Sequence, residues 1–160
     1  MRIFVDADSC PRDARSLVIR RAAKLGIQVV FAANRPIPGA NSSAVVMEIC
    51  PAVDGAADDR IVEMAQPGDL VISRDVPLAR RLVENGITVL NDRGRVFSRE
   101  NIGELLSLRN FTVGLALDGL GIERTEVYGK KELKTFADSF DRILTRMINS
   151  RTQGTSSASV

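Results

Sequence analysis

Carboxylates stand at the ends of three apolar runs in this chain. Ile3-Phe4-Val5 leads into Asp6, Leu70-Val71-Ile72 into Ser73-Arg74-Asp75, and Ile87-Thr88-Val89-Leu90 into Asn91-Asp92. Asp8 follows Asp6 two positions on, and Asp58 with Asp59 lies in the segment Gly55-Ala56-Ala57-Asp58-Asp59-Arg60-Ile61-Val62. Taken singly, an aspartate after a strand is ordinarily a helix cap or a turn residue. Acidic residues in a first helical turn are likewise partly explained by the helix dipole. Gathered at one edge, however, they conflict: two like charges 4 Å apart repel by about 4 kcal/mol at an effective dielectric of ~20. That is a large share of a domain's net stability. A divalent cation relieves the repulsion, and oxygen ligands without His or Cys favour Mg²⁺ or Mn²⁺. Such ions assist the attack of water on a phosphodiester. Arg12 and Arg15, Arg74 beside Asp75, and Arg93 and Arg95 after Asp92 are the side chains that suit phosphate.

Composition narrows the chemistry. The 160 residues contain no His, which removes a Ser-His-Asp triad and a histidine general base. Cys10 and Cys50 are the only thiols, too few for a disulfide framework or, without His, for a structural zinc site. Cys10 reads as a packed small residue rather than a nucleophile. A net charge of +2 says little about partners, because the placement of the cations matters more than their total. With one Tyr and no Trp, base-stacking platforms are scarce, so any nucleic-acid contact runs mainly through phosphates. No apolar run approaches the ~20 residues that span a bilayer. The start at Met1-Arg2 lacks the features of a secretory signal, and a cytoplasmic protein is expected.

Positioning these aspartates requires strands and crossover helices. Ile3–Val5, Ile27–Phe31, Val45–Ile49, Leu70–Ile72 and Ile87–Leu90 are short, β-prone and bounded by turn residues. Between them Ala14, Leu17, Val18, Ala22 and Leu25 share a helical face, as do Ile61, Val62 and Ala65, then Leu78, Ala79, Leu82 and Val83. Continuous apolar strands separated by helices predict an α/β fold with a mainly parallel sheet of about five strands, covered on both faces in a three-layer sandwich. The carboxyl ends of such strands share an edge, which is where open sheets place their ligands. Residues 34–43 read as an irregular loop, and Ser98 with Glu100 as a helix cap. Residues 114–121 are glycine-rich and ambiguous, whereas Leu133, Phe136, Phe140, Ile143, Leu144 and Met147 mark a final helix. One domain over residues 1–150 is expected, followed by a disordered tail over 151–160.

Four motifs in order, V-D-A-D-S-C-P, G-A-A-D-D-R-I-V, G-D-L-V-I-S-R-D-V-P-L-A and N-D-R-G-R-V-F-S-R-E-N-I, closely resemble the bacterial YaiI/YqxD family over roughly residues 1–147. That family is similar to PIN-like nucleases, so the resemblance implies a PIN-like domain. It further implies an acidic cluster that binds Mg²⁺ or Mn²⁺ and a phosphodiesterase acting on RNA or on single-stranded or branched DNA. By position the resemblance implies Asp6, one or both of Asp58 and Asp59, Asp75 and Asp92 as ligands; the reading adopted has Asp6, Asp59, Asp75 and Asp92 holding metal for catalysis, with Asp58 and Asp8, the latter outside the PIN pattern, as auxiliary ligands or orienters of water. Arg74 and Arg93, beside Asp75 and Asp92, are the expected phosphate clamps. Ala56 departs from the pattern, standing where flap-endonuclease relatives place a Glu. Two other readings are available. One is a non-catalytic module that binds nucleic acid or protein. The other is a haloacid-dehalogenase-type phosphohydrolase built on Asp6-Ala7-Asp8 and Ser73, in which the acidic pair would follow the hydroxyl rather than precede it.

Overall fold

The computed structural model describes residues 1–119 and 127–156. In chain order the elements are β1 (Arg2–Asp6), α1 (Arg12–Leu25), β2 (Gln28–Ala33), β3 (Val45–Ile49), α2 (Ala56–Met64), β4 (Leu70–Ile72), α3 (Val76–Glu84), β5 (Thr88–Leu90), β6 (Val96–Phe97), α4 (Ile102–Leu117) and α5 (Lys130–Ser156). The sheet order is β3-β2-β1-β4-β5-β6, with every pairing parallel except β5–β6.

The central strands lack a polar face because both their faces are covered, whereas the edge strand β3 leaves Val46, Glu48 and Ile49 less enclosed. Ile3, Val5, Phe31, Leu70 and Ile72 point toward α1 and α5, packing on Leu17, Val18, Phe136, Phe140 and Leu144. Their neighbours Phe4, Val30, Val71 and Val89 point the other way, onto Ile61 of α2, Leu78 and Leu82 of α3 and Ile102 of α4. The expected three-layer α/β sandwich is therefore the observed architecture. The chain builds β1 to β3 outward in one direction, then α2 carries it back across β2 and β1 so that β4 pairs with β1 and growth reverses. This reversal makes the gap between β1 and β4 a topological switch point, with Asp6 and Ser73 at its carboxyl edge.

Several details depart from the sequence expectations. A sixth strand, β6, closes one edge. The Asn91 side-chain oxygen accepts from the Arg93 and Arg95 amides at 3.0 and 2.8 Å, folding the chain back antiparallel after only five residues. Two residues are too few to show periodicity. Helix α4 starts from Asn101, and the expected Ser98 cap acts one turn earlier: Ser98 N donates to Asn101 Oδ1 at 2.8 Å and Ser98 Oγ accepts from Asn101 N at 3.3 Å. It runs through Gly114 to Leu117, while the end of the glycine-rich stretch, residues 120–121, lies outside the described residues. Only Ile102 of α4 is buried, and Leu108, Phe111 and Leu117 are largely exposed. Helix α5 extends through Ser156, six residues into the segment read as a disordered tail, because a packed helix propagates cheaply once nucleated. Residues 157–160 of that tail lie outside the described residues.

Candidate functional site at the switch point

Asp6 is the last residue of β1 and shares the side of Phe4, so its carboxylate turns toward the α2–α3 layer. It is almost fully buried. Two hydroxyls hold it: Ser9 Oγ and Ser73 Oγ donate to the same oxygen, Oδ2, at 2.9 and 3.1 Å. Ser73 also accepts from the Asp75 amide at 3.0 Å, which ties the end of β4 to the end of β1. Burial raises the Asp6 pKa; the two serines oppose the shift, and the charges of Asp75 and Asp8 reinforce it. Asp75 caps α3, its Oδ1 accepting from Leu78 N at 2.8 Å, and Pro77 sits in the first turn where its missing N–H costs nothing.

Asp58 enters the rim from the first turn of α2 and is half-buried. Among the described residues it has no hydrogen-bond or ion-pair partner, and its pKa is pushed up to about 6, first by burial and then by the charges of Asp75 and Asp6. Asp6, Asp58 and Asp75 therefore feel one another's charge, as expected of one edge. The other two aspartates have their own cations. Asp92, buried, is ion-paired with Arg74, and the exposed Asp59 with Arg81 at 2.8 Å. Asp8 Oδ2 accepts from Asn34 N at 3.1 Å, pinning the start of the loop after β2. Arg93 approaches Glu132 at 3.9 Å and lies over the Tyr128 ring, 5.8 Å from its centroid. Arg15 donates to the carbonyls of Ala7 and Cys10 at 3.0 and 2.9 Å, bracing the turn between β1 and α1. Cys10 beneath it has its thiol pushed up to about 12 by burial and by Asp92, which keeps it protonated and unreactive.

Residues 4–146 match the model of the uncharacterised YaiI/YqxD family. The chain belongs to the YaiI/YqxD family. A UPF0178 protein of Treponema pallidum (strain Nichols) is 47% identical over 148 residues, 92% of this chain and 84% of the relative. One from Treponema denticola is 42% identical over 151 residues, 94% of this chain and 96% of the relative, and one from Ectopseudomonas mendocina 44% over 147 residues, 92% and 99%. No solved structure gives a significant match.

In this YaiI/YqxD chain the donor chemistry of the rim suits a hard divalent cation, since Asp6, Asp58 and Asp75 offer only carboxylate oxygen and are unpaired with any Arg. The fit is one of charge and ligand type. Among the described residues no three acidic or thiol side chains stand close enough to enclose an ion as they are placed. Two contributors had only a faint signal in the sequence. Ser73 is legible as part of Ser-Arg-Asp at a strand end, but its bridge between Asp6 and Asp75 needs β4 beside β1. Tyr128 lies 36 residues beyond Asp92, and no spacing rule links its hydroxyl to the Asp92 carbonyl, to which it donates at 2.7 Å.

Proposed function

We propose that this protein is a Mg²⁺- or Mn²⁺-dependent phosphodiesterase, a PIN-like nuclease of the cytoplasm acting on RNA or on single-stranded or branched DNA. The observation that carries the reading is the crowding of Asp6, Asp58 and Asp75 at a topological switch point, with the Asp58 pKa raised to about 6 by burial and by the other two. A group of carboxylates that raise one another's pKa competes for protons and for cations alike. Asp6, Asp58 and Asp75 would hold the ion, and Asp92 and Asp59 would join if Arg74 and Arg81 were drawn to phosphate instead. A divalent ion supplies Lewis acidity, polarising the phosphoryl group and making water a better nucleophile. Ser9 and Ser73 fix the Asp6 carboxylate in one orientation, and the Asp75 cap fixes the mouth of α3. Arg74, exposed on its outer side, is placed to exchange Asp92 for a substrate phosphate.

The test is cleavage of labelled RNA and DNA, single-stranded, duplex and branched, with Mg²⁺, Mn²⁺ or chelator, by wild type, Asp6→Asn and Asp58→Asn. The reading requires cutting that chelation abolishes and that each substitution lowers about 100-fold or more. Cutting indifferent to chelator and to both substitutions discards it. Metal-independent binding without cutting by any form establishes the binding-module alternative.

A further inference from the structure

The two helical layers differ in charge. In the layer formed by α1 and α5, α1 carries five basic and one acidic side chain and α5 six basic and three acidic, a net +7. In the opposite layer, α2 carries one basic and three acidic, α3 two and one, and α4 one of each, a net −1. Pairing sharpens the contrast. All three basic residues of α2 and α3 are ion-paired: Arg60 with Glu48 and Glu63, Arg80 with Glu84, Arg81 with Asp59. On the α1–α5 layer Arg12, Arg20, Lys24, Arg142, Arg146 and Arg151 are exposed and have no ion-pair partner among the described residues.

The helices that carry these cations form one layer. Helices α1 and α5 pack side by side, with Arg21 and Asp141 joining them at 3.0 Å. Both helices begin at the carboxyl edge of the sheet: α1 follows Asp6 directly, and α5 starts beside Tyr128, whose hydroxyl reaches the Asp92 carbonyl. Both end at the far edge, where Leu25 and Arg151 line the same depression. On the outer side of α5 a second, shallow depression of about 580 Å³ is lined by Arg142, Thr145, Arg146, Asn149, Ser150 and Gln153, together with Asp141. All but the last of these can donate hydrogen bonds. With 14 residues, α1 extends about 21 Å, the span of roughly six phosphates on one strand of a duplex.

We propose that the outer face of the α1–α5 layer is a binding track for the phosphodiester backbone of a nucleic acid, leading it to the carboxylate rim. The direction of travel rests on the proposed nuclease site; the track itself does not. Unpaired cations concentrated on one face are the electrostatic footprint of a polyanion partner, and Arg, Thr, Asn, Ser and Gln are the side chains that contact phosphate and sugar. An anionic membrane fits less well. The apolar side of α5 is spent on the core, through Phe136, Phe140, Ile143 and Leu144, and the α5 depression has no apolar side chain to insert into lipid.

The test is fluorescence anisotropy with 20-nucleotide labelled RNA and DNA of mixed sequence, in chelator so that cutting and metal binding play no part, from 50 to 200 mM salt. Arg20→Gln/Arg142→Gln/Arg146→Gln should bind at least about tenfold more weakly at 50 mM salt, with the log–log salt slope reduced by about 2, roughly 0.7 for each phosphate contact removed from a single strand. Arg109→Gln on α4 should bind as wild type does, and circular dichroism should be the same for all three forms. Wild-type failure to bind either nucleic acid, an unaffected triple variant, equal loss in Arg109→Gln, or binding of phosphatidylserine vesicles in place of nucleic acid overturns the proposal. The two ideas fail separately. A protein that binds through the track and never cuts retains the track and loses the nuclease, whereas cutting by a triple variant of undiminished affinity does the reverse.

Discussion

At the scale of single residues the most consequential group is Asp58, because the charges of Asp75 and Asp6 outweigh that of Arg81 and no hydrogen bond or ion pair among the described residues holds its carboxylate. Its pKa in the folded chain, about 6, lies above the ordinary value of 3.8. Between those two values the folded state binds more protons than the unfolded one, so stability falls as pH rises through the window from about 4 to about 6. Below it both states are protonated and the penalty vanishes. A shift of this size corresponds to about 3 kcal/mol for a dry group, and solvent screening of the half-exposed carboxylate reduces that to roughly 1 kcal/mol. In chelator, Asp58→Asn should therefore be more stable than wild type by about 1 kcal/mol at pH 7 and equal to it near pH 3.5. Urea denaturation across that range measures the difference. A variant no more stable than wild type at pH 7 would show that Asp6 and Asp75 do not press on Asp58. Asp6 titrates upward for the same primary reason, but its serines hold the charged form, and Ser73→Ala should push it up further. Cys10 shifts the same way, by burial and the charge of Asp92, and for a thiol that means staying protonated and out of the chemistry.

At the scale of elements, legibility followed length and periodicity. The helices α1, α3 and α5 and the strands β1, β3 and β4 carry their own pattern, apolar positions three and four apart in the helices and runs of three or more apolar residues in the strands, and the sequence places them within a few residues. What it could not show depends on partners distant in the chain. The turn from β5 to β6 is the clearest instance. Gly94 adopts φ +88°, and a Cβ there would stand 2.7 Å from the Thr135 carbonyl oxygen and 2.8 Å from Ser139 Oγ, both on α5. The glycine is thus needed twice, for its backbone and for the close approach of α5, and only the first need is local. Gly86, after α3, has φ +76° with nothing within 4 Å of the corresponding Cβ. The pair separates the two costs. Gly86→Ala should destabilise by about 1 to 2 kcal/mol, the strain of a left-handed residue alone. Gly94→Ala should cost about 3 kcal/mol or more, because α5 must also move. Thermal unfolding of the two variants side by side checks this, and equal losses would mean that α5 does not press on the turn.

At the scale of the molecule, three segments far apart in sequence meet because α2 carries the chain back across the sheet. The individual aspartates were visible as residues that follow apolar runs, and their shared edge follows from a parallel sheet. Which of them would face one another was not visible, since strand order is set by packing of whole layers and not by any local pattern. The outcome divides the set: Asp6, Asp58 and Asp75 lie within reach of one another's charge and have no ion pair among the described residues, while Asp92 and Asp59 are each claimed by an Arg from a neighbouring element. The unfolded chain scatters the first three, so a divalent ion that they bind together favours the folded state alone, and linkage converts its affinity into stability. For a site of about 1 mM affinity, 10 mM Mn²⁺ adds about 1.4 kcal/mol, or roughly 4 °C in Tm for a chain of this size. Wild type should show that rise at pH 7, and Asp6→Asn and Asp58→Asn should lose most of it. At pH 5, where Asp58 is largely protonated, the rise should shrink in wild type as well, because proton and ion compete for one carboxylate. Differential scanning calorimetry with Mn²⁺ against chelator at the two pH values provides the measurement. A Tm that ignores Mn²⁺ in every form would mean that the three carboxylates meet for reasons other than a cation.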